Sequence, residues 1–236
     1  QNQLTSLFTH AAKIYDLPVN PCKKVKRMGN SDSRSLNFWT LDEYKQFIQT
    51  MEPGTRYYLI FEMLFWTGCR IGELLAITKA DINFEKNQLS INKTYYRTGM
   101  QDIITEPKTK QSFRTIEIPE FLKEEIKEFV DGHYGMPDTE RLFPVVQEAV
   151  QHKMKRQIEL AGVKKIRVHD LRHSHVAYLI EKGVEPLLIR DRLGHKDIRI
   201  TLNTYGHLYP NQQRKIANLL DNENAVTGLG EERDEC

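Results

Sequence analysis

The sequence predicts a mainly α-helical chain that carries one small antiparallel β-sheet, an α+β fold. Helical apolar spacing runs from Trp39 to about Thr78 and resumes from Phe121 onward. Two-residue alternation is confined to the stretch between Ala80 and Pro119. Glycines at Gly68, Gly183 and Gly194 fall where apolar runs stop, as helix terminators do.

In chain order, Leu4, Phe8, Ala11, Ala12 and Tyr15 give residues 1–20 a helical face with no sequence-adjacent partner, as expected of the last piece of another domain. Residues 21–37, with Lys23, Lys24, Lys26 and Arg27, read as a basic linker or a solvated loop. The main domain is expected over residues 38–220. Thr40 and Glu43 form a capping box ahead of Tyr44, Phe47 and Ile48. Tyr57 to Trp66 is apolar almost all round, the mark of a central buried helix. Thr67-Gly68 breaks it, and a helix from near Cys69 is expected to carry Ile71, Leu74, Leu75 and Thr78 on one side.

Strands are expected at Gln88–Lys93, Thr94–Arg97 and Phe113–Ile118, with turns at Arg97–Met100 and Lys108–Ser112. Helices follow at Phe121–Val130, Val145–Leu160, Asp170–Lys182, Pro186–Leu193, Ile198–His207 and Asn211–Leu220. Residues 221–236 read as an acidic, mobile or partner-docked tail.

Across the 236 residues, 39% are apolar and 28% charged, ordinary for a soluble globular protein. No apolar run approaches the roughly 18 residues of a membrane span, and the first residues show no secretion signal. The three cysteines, Cys22, Cys69 and Cys236, are odd in number and widely spaced, which speaks against a disulfide framework or a zinc knuckle and for a reducing compartment. The net charge of +2 hides an asymmetry: residues 221–236 hold six acids against one base, which leaves +7 on residues 1–220. A basic body is compatible with a polyanionic partner.

Between Val168 and Tyr205 polar residues recur at spacings that suggest a site. His169 and Arg172 are three apart, His195 lies 23 residues beyond Arg172, and Tyr205 ten beyond that. Breaking a phosphodiester without a metal needs a nucleophile, a proton donor for the leaving oxygen and fixed positive charge on the non-bridging oxygens. Arginine suits the last task, because its planar fork binds two oxygens and stays charged. Arg70, after the Thr-Gly break, is expected in the first turn of a helix, with Glu73 holding its guanidinium; the same pair also reads as a structural ion pair. Tyr205, beside Thr201 and Leu202, also fits a packing role. His173 and His175 complete an HxxxHxH pattern with His169, but no HExxH or carboxylate cluster accompanies it, so no metal is expected. His173 is expected to hydrogen-bond behind the site, and His10, His133 and His152 to lie on the surface.

The segments TGCRIGE, PKTKQSFRTIEIP, HDLRHSH, LGHK and NTYGH resemble, in order and spacing, the signature boxes of the tyrosine recombinase (phage integrase) family, over residues from about 38 to 210. The resemblance implies that family's catalytic-domain fold, with residues 1–20 the remnant of a core-binding helical domain. It implies a site-specific recombinase in which Tyr205 attacks the phosphate to give a 3′-phosphotyrosine, Arg70 and Arg172 clamp it, and His195 bonds a non-bridging oxygen. It gives His169 the proton transfer with the tyrosine, Lys108 (with Lys110 as the alternative) the protonation of the leaving 5′-oxygen, and Glu73 the support of Arg70. The implied partners are double-stranded DNA, four protomers on two duplexes with a monomer off DNA, and accessory DNA-bending or excision proteins. No cofactor, metal, ATP or membrane is implied, and the implied location is the bacterial cytoplasm. A type IB topoisomerase and a DNA-binding regulator without catalysis share parts of this pattern. Alanine at Arg70 or Arg172 is expected to cost rate rather than stability if both face a cleft.

Overall fold

A computed structural model of the chain describes residues 2–15, 17–25, 37–107, 110–133, 135, 137–208, 217, 218 and 220–222. The chain divides into two compact units, Gln1–Leu36 and Asn37–Cys236.

In the first unit, helix α1 (Asn2–Ile14) leaves Leu4, Leu7 and Ile14 exposed. The buried Asn20 folds back on it: its amide donates to the Thr5 carbonyl (3.1 Å) and to Thr9 Oγ1 (2.9 Å). Its carbonyl oxygen accepts from the Cys22 N–H and so opens the short turn Pro21–Lys23. Lys23 and Lys24 are exposed there, while Lys26 and Arg27 lie outside the described residues.

The second unit is built around α3 (Arg56–Thr67), whose residues from Leu59 to Phe65 are all buried, Glu62 among them, as a sequence apolar almost all round requires. It packs against α5 (Glu120–Asp131) and α7 (Asp170–Glu181). Helix α2 (Leu41–Ile48) starts at the expected capping box and adds Tyr44 and Phe47 to the core, where Tyr44 stacks on Phe65 at 3.7 Å. Helix α6 (Gln147–Ala161) packs on α2, and α8 (Pro186–Leu193) and α9 (Ile198–Tyr205) pair with each other. Full burial of each such aromatic or aliphatic side chain contributes about 1.5–3 kcal/mol. The α+β reading stands.

Three expectations are corrected. There are two sheets: β1 (Ile82–Asn83), β2 (Gln88–Ile91) and β5 (Arg114–Glu117) form one, and β3 (Thr94–Thr98) and β4 (Gln101–Thr105) form a separate hairpin. β4 escapes the alternation rule because its residues are exposed or half-buried, leaving no apolar face to read. The helix expected from Cys69 to Thr78 is only α4 (Ile71–Leu74). Its last turn tightens to Ala76 N–H→Glu73 and Ile77 N–H→Leu74 bonds, and Thr78 instead pairs through N–H and Oγ1 with Asp81, both at 2.8 Å. Helix α9 stops at Tyr205 and passes into a 3₁₀ turn at Gly206–Leu208. The helix expected at Asn211–Leu220 and the tail at 221–236 fall mostly outside the described residues, and no described helix is long and apolar enough to cross a membrane.

Candidate active site

Two helix stops shape the site. α3 ends at Gly68 and α8 at Gly194, both left-handed (φ 65° and 66°), a conformation glycine adopts without penalty. Neither has room for a side chain: a Cβ on Gly68 would lie 2.5 Å from the His175 ring, and one on Gly194 would lie 2.9 Å from the Gln111 carbonyl oxygen. Arg172, on the first turn of α7, is buried between these stops. Its Nη1 donates to the Gly68 carbonyl and its Nη2 to the Leu193 carbonyl, both at 2.7 Å. Carbonyls at two helix C-termini carry the partial negative charge that lets a guanidinium be buried without a carboxylate of its own. Burial, then the Arg70 charge, pushes the Arg172 pKa down to about 9, so it is still a cation at neutral pH.

Arg70 is the N-cap of α4 rather than part of its first turn, and its backbone N–H donates to Glu73 Oε2 at 2.9 Å. The expected ion pair is present, Arg70 Nη1 to Glu73 Oε1 at 2.7 Å, with the arginine side chain 41% exposed and the glutamate 5%. A residue the sequence reading missed shares that carboxylate. Arg114, on β5 opposite Ile91, meets Glu73 Oε2 through Nη2 at 2.8 Å and Oε1 through Nη1 at 3.2 Å, and donates from Nε to the Arg192 carbonyl. Burial alone would raise the Glu73 pKa, but Arg114 and Arg70 bring it down to about 2. Three guanidiniums, Arg70, Arg114 and Arg172, are thus grouped around one carboxylate, Glu73. The surplus of positive charge suits an anion.

The histidines are neutral. His195 follows Gly194 and pairs through Nδ1 with Thr201 Oγ1 at 2.9 Å; burial and then Arg172, Arg70 and Arg114 bring its pKa down to about 4. His169, at the start of α7, is lowered by burial and Arg172, against a raising effect of Asp170. Tyr205 is 2% exposed, and its hydroxyl lies 2.6 Å from His173 Nδ1. Burial pushes the phenol up to about 12, Arg172 pulling the other way. His173, expected behind the site, is therefore the residue that touches the tyrosine. Among the described residues it is the only hydrogen-bond partner of that hydroxyl, and His169 instead meets the His173 ring edge-on at 5.3 Å.

Two surface depressions reach the cluster. One of about 730 Å³ is lined by Gln111, Arg114, Gly194 and His195, and one of about 550 Å³ by Ile71, Met154, Arg167 and His169. Lys108 lies outside the described residues. Lys110, whose backbone alone is described, opens the 3₁₀ turn Lys110–Ser112, and Gln111 of that turn approaches Gly194. His175 accepts from Arg192 Nε at 3.1 Å, and among the described residues no group of three potential ligands is placed to hold a metal ion.

The sequence profile of the phage integrase family matches residues 37–212, the stretch that contains every one of these groups. The chain belongs to the phage integrase family. Within the family, the ICEBs1 integrase of Bacillus subtilis strain 168 is 31% identical over 239 residues, which cover 92% of this chain and 65% of that protein. A XerC-like tyrosine recombinase of Caldanaerobacter subterraneus is 28% identical over 251 residues, 93% of this chain and 64% of that protein. The chain therefore spans slightly less than two thirds of the length of either curated relative. Among solved structures, the Tn1549 transposon integrase in complex with a circular intermediate DNA has the same fold, with a TM-score of 0.74 and 20% identity over 93% of this chain and 76% of that one.

Proposed function

We propose that this chain is the catalytic part of a site-specific DNA recombinase that breaks and rejoins strands through a tyrosyl-phosphate ester. The observation that carries the reading is a phenol seated beside a surplus of buried and half-buried guanidinium charge, Tyr205 against His173 with Arg172 close enough to pull on its proton. Family membership and relatives named as integrases and recombinases support exchange over relaxation.

In this reading Tyr205 Oη attacks the scissile phosphorus and forms a 3′-phosphotyrosine. Arg70, the more exposed arginine, and Arg172 hold the non-bridging oxygens, and His195, neutral and in the same cluster, donates to one of them. Glu73 keeps Arg70 and Arg114 in place without cancelling their charge. Lys108 protonates the leaving 5′-oxygen, Lys110 being the alternative. The bond energy stays in the ester, so rejoining needs no nucleotide. Double-stranded DNA is the partner, exchanged by four protomers on two duplexes in the bacterial cytoplasm, with accessory DNA-bending proteins. The exposed Lys23 and Lys24, together with Lys26 and Arg27, add phosphate contacts, and binding weakens steeply with salt.

The test is covalent trapping. The protein is mixed with a pool of nicked duplexes of randomised sequence and denatured in SDS, and the attached DNA is sequenced. The wild type is expected to retain DNA of a defined sequence, and Tyr205→Phe to retain none. An adduct with Tyr205→Phe excludes this tyrosine as nucleophile, and no adduct with the wild type excludes strand breakage by this chain.

A further inference from the structure

A phenol held at a pKa of about 12 is a poor nucleophile unless something takes its proton. The group in place is His173, 2.6 Å away on the adjacent face of α7. Its other nitrogen, Nε2, looks toward Asp170 Oδ1 at 4.0 Å. Asp170 is 2% exposed and is held by Arg167, whose Nη2 donates to the same Oδ1 at 2.7 Å and whose backbone N–H donates to Oδ2 at 2.8 Å. Burial works to raise the Asp170 pKa, but the Arg167 bonds lower it, so the carboxylate is ionised when it faces the imidazole. A carboxylate on the Nε2 side favours the tautomer with the proton there, which leaves the Nδ1 lone pair to accept the Tyr205 hydroxyl.

We propose that His173, rather than His169, is the general base that takes the Tyr205 proton, with Asp170 steadying the imidazolium that results. The proposal rests on the strand-breaking reading above and assigns a step within it. The Tyr205 Oη–H bond breaks and its proton passes to His173 Nδ1 while the oxygen forms a bond to phosphorus. The bond from phosphorus to the 5′-oxygen breaks, and that oxygen takes the proton of the lysine assigned as acid. In rejoining the order reverses: a 5′-hydroxyl attacks phosphorus, and His173 returns the proton to the departing phenol. The logic is that of any nucleophile–imidazole–carboxylate series, in which the acid orients the ring and stabilises its charged form.

The charged and titratable groups around the ring agree with this. Burial and the neighbouring His169, then Arg172 and Arg167, lower the His173 pKa and keep it neutral and ready to accept; Asp170 alone among them favours the protonated form. His195, from the segment that follows α8, is coupled to it but is itself held neutral. His169 meets the His173 ring edge-on and is under the Arg172 and Arg70 charges, and among the described residues no hydrogen bond joins it to the phenol.

Two measurements test it. The first needs no DNA: nitrogen-15 NMR of the full chain labelled at histidine. The expected result is His173 protonated on Nε2, with its Nδ1 signal displaced in Tyr205→Phe. A proton fixed on Nδ1 overturns the proposal. The second uses the duplex recovered from the randomised pool, made with either oxygen or sulfur at the bridging 5′ position. Sulfur leaves without an acid, so loss of the lysine is masked and loss of the base is not. His173→Gln, whose side-chain oxygen can accept from the phenol but not carry its proton away, is expected to fold and bind that duplex normally. Adduct formation should fall about 10²–10⁴-fold on both substrates, and the acid limb of the wild-type pH–rate profile should disappear. Adduct formation by His173→Gln at the wild-type rate overturns the base assignment and leaves the recombinase reading intact. No adduct with the wild type overturns both.

Discussion

Glu62 and Glu73 lie eleven residues apart, and each is about 5% exposed or less, yet their protons behave in opposite ways. Glu62 accepts from two neutral donors, Tyr44 Oη and Trp66 Nε1, each at 2.8 Å, and burial raises its pKa. Near it Glu125, accepting from Tyr58 Oη, is raised to about 7 by burial and by the Glu62 charge. Glu73 accepts from Arg70 and Arg114 and sits near 2. Burial is common to both, so the charge of the donors decides. One side of α3 is an acidic–aromatic cluster that tolerates protonation. The other is a cationic cluster whose single carboxylate is outnumbered, an imbalance that suits it to an anion.

The cationic cluster is most vulnerable to substitution at Arg172. Arg172→Ala is expected to lower covalent trapping about 10²–10³-fold, the effect of losing one donor to a developing charge, about 2.7–4 kcal/mol. Because this arginine is buried between two carbonyls rather than free in a cleft, stability should fall too, by about 1–3 kcal/mol for each acceptor left unpaired. Unchanged urea unfolding in that variant would contradict the geometry. Next comes a matched pair of substitutions. Glu73→Gln strands two guanidiniums and is expected to cost about 3–5 kcal/mol in urea unfolding. Glu62→Gln presents the same shape to Tyr44 and Trp66 and should cost less than about 1 kcal/mol. Equal costs would mean that donor charge does not separate the two clusters.

The smallest effect is the dependence of stability on pH, and its sign differs between the clusters. Glu125 has a folded pKa of about 7, above its ordinary 4.5. Its contribution is complete below pH 4.5 and is lost as pH rises through 7. Glu73, depressed to about 2, contributes fully above pH 4.5 and loses that contribution as pH falls toward 2. Urea unfolding of Glu125→Gln should show a flatter curve than the wild type between pH 4.5 and 7, and an unchanged slope would remove Glu125 from this account.

What the sequence showed and hid follows the same division. Helices with a buried face, such as α2 and α3, were legible because apolar spacing records burial directly, whereas Arg70, Glu73, Arg172, His195 and Tyr205 were singled out through the family's signature segments, since Arg70–Glu73 by itself also reads as a structural ion pair and Tyr205 as a packing residue. Arg114 was not, because an arginine opening a short strand looks solvent-facing until α4 and α8 close over it. The meeting of His173 with Tyr205 was hidden for a related reason. It depends on how α9 packs beside α7, and the two partners, 32 positions apart, are joined by a stretch that carries no local signal of that angle. β4 was missed because a half-exposed hairpin has little apolar pattern to show.

The two carbonyls that hold Arg172 belong to the last turns of separate helices, α3 and α8. They work as a jig: the guanidinium is located by where two rods end, so the lengths of those rods become tolerances of its position. One residue inserted within α3 or α8 would rotate its terminal carbonyl by about 100° and advance it by about 1.5 Å, far more than a hydrogen bond at 2.7 Å can absorb. In an engineered version of this protein, the residue count of these two helices would have to stay fixed.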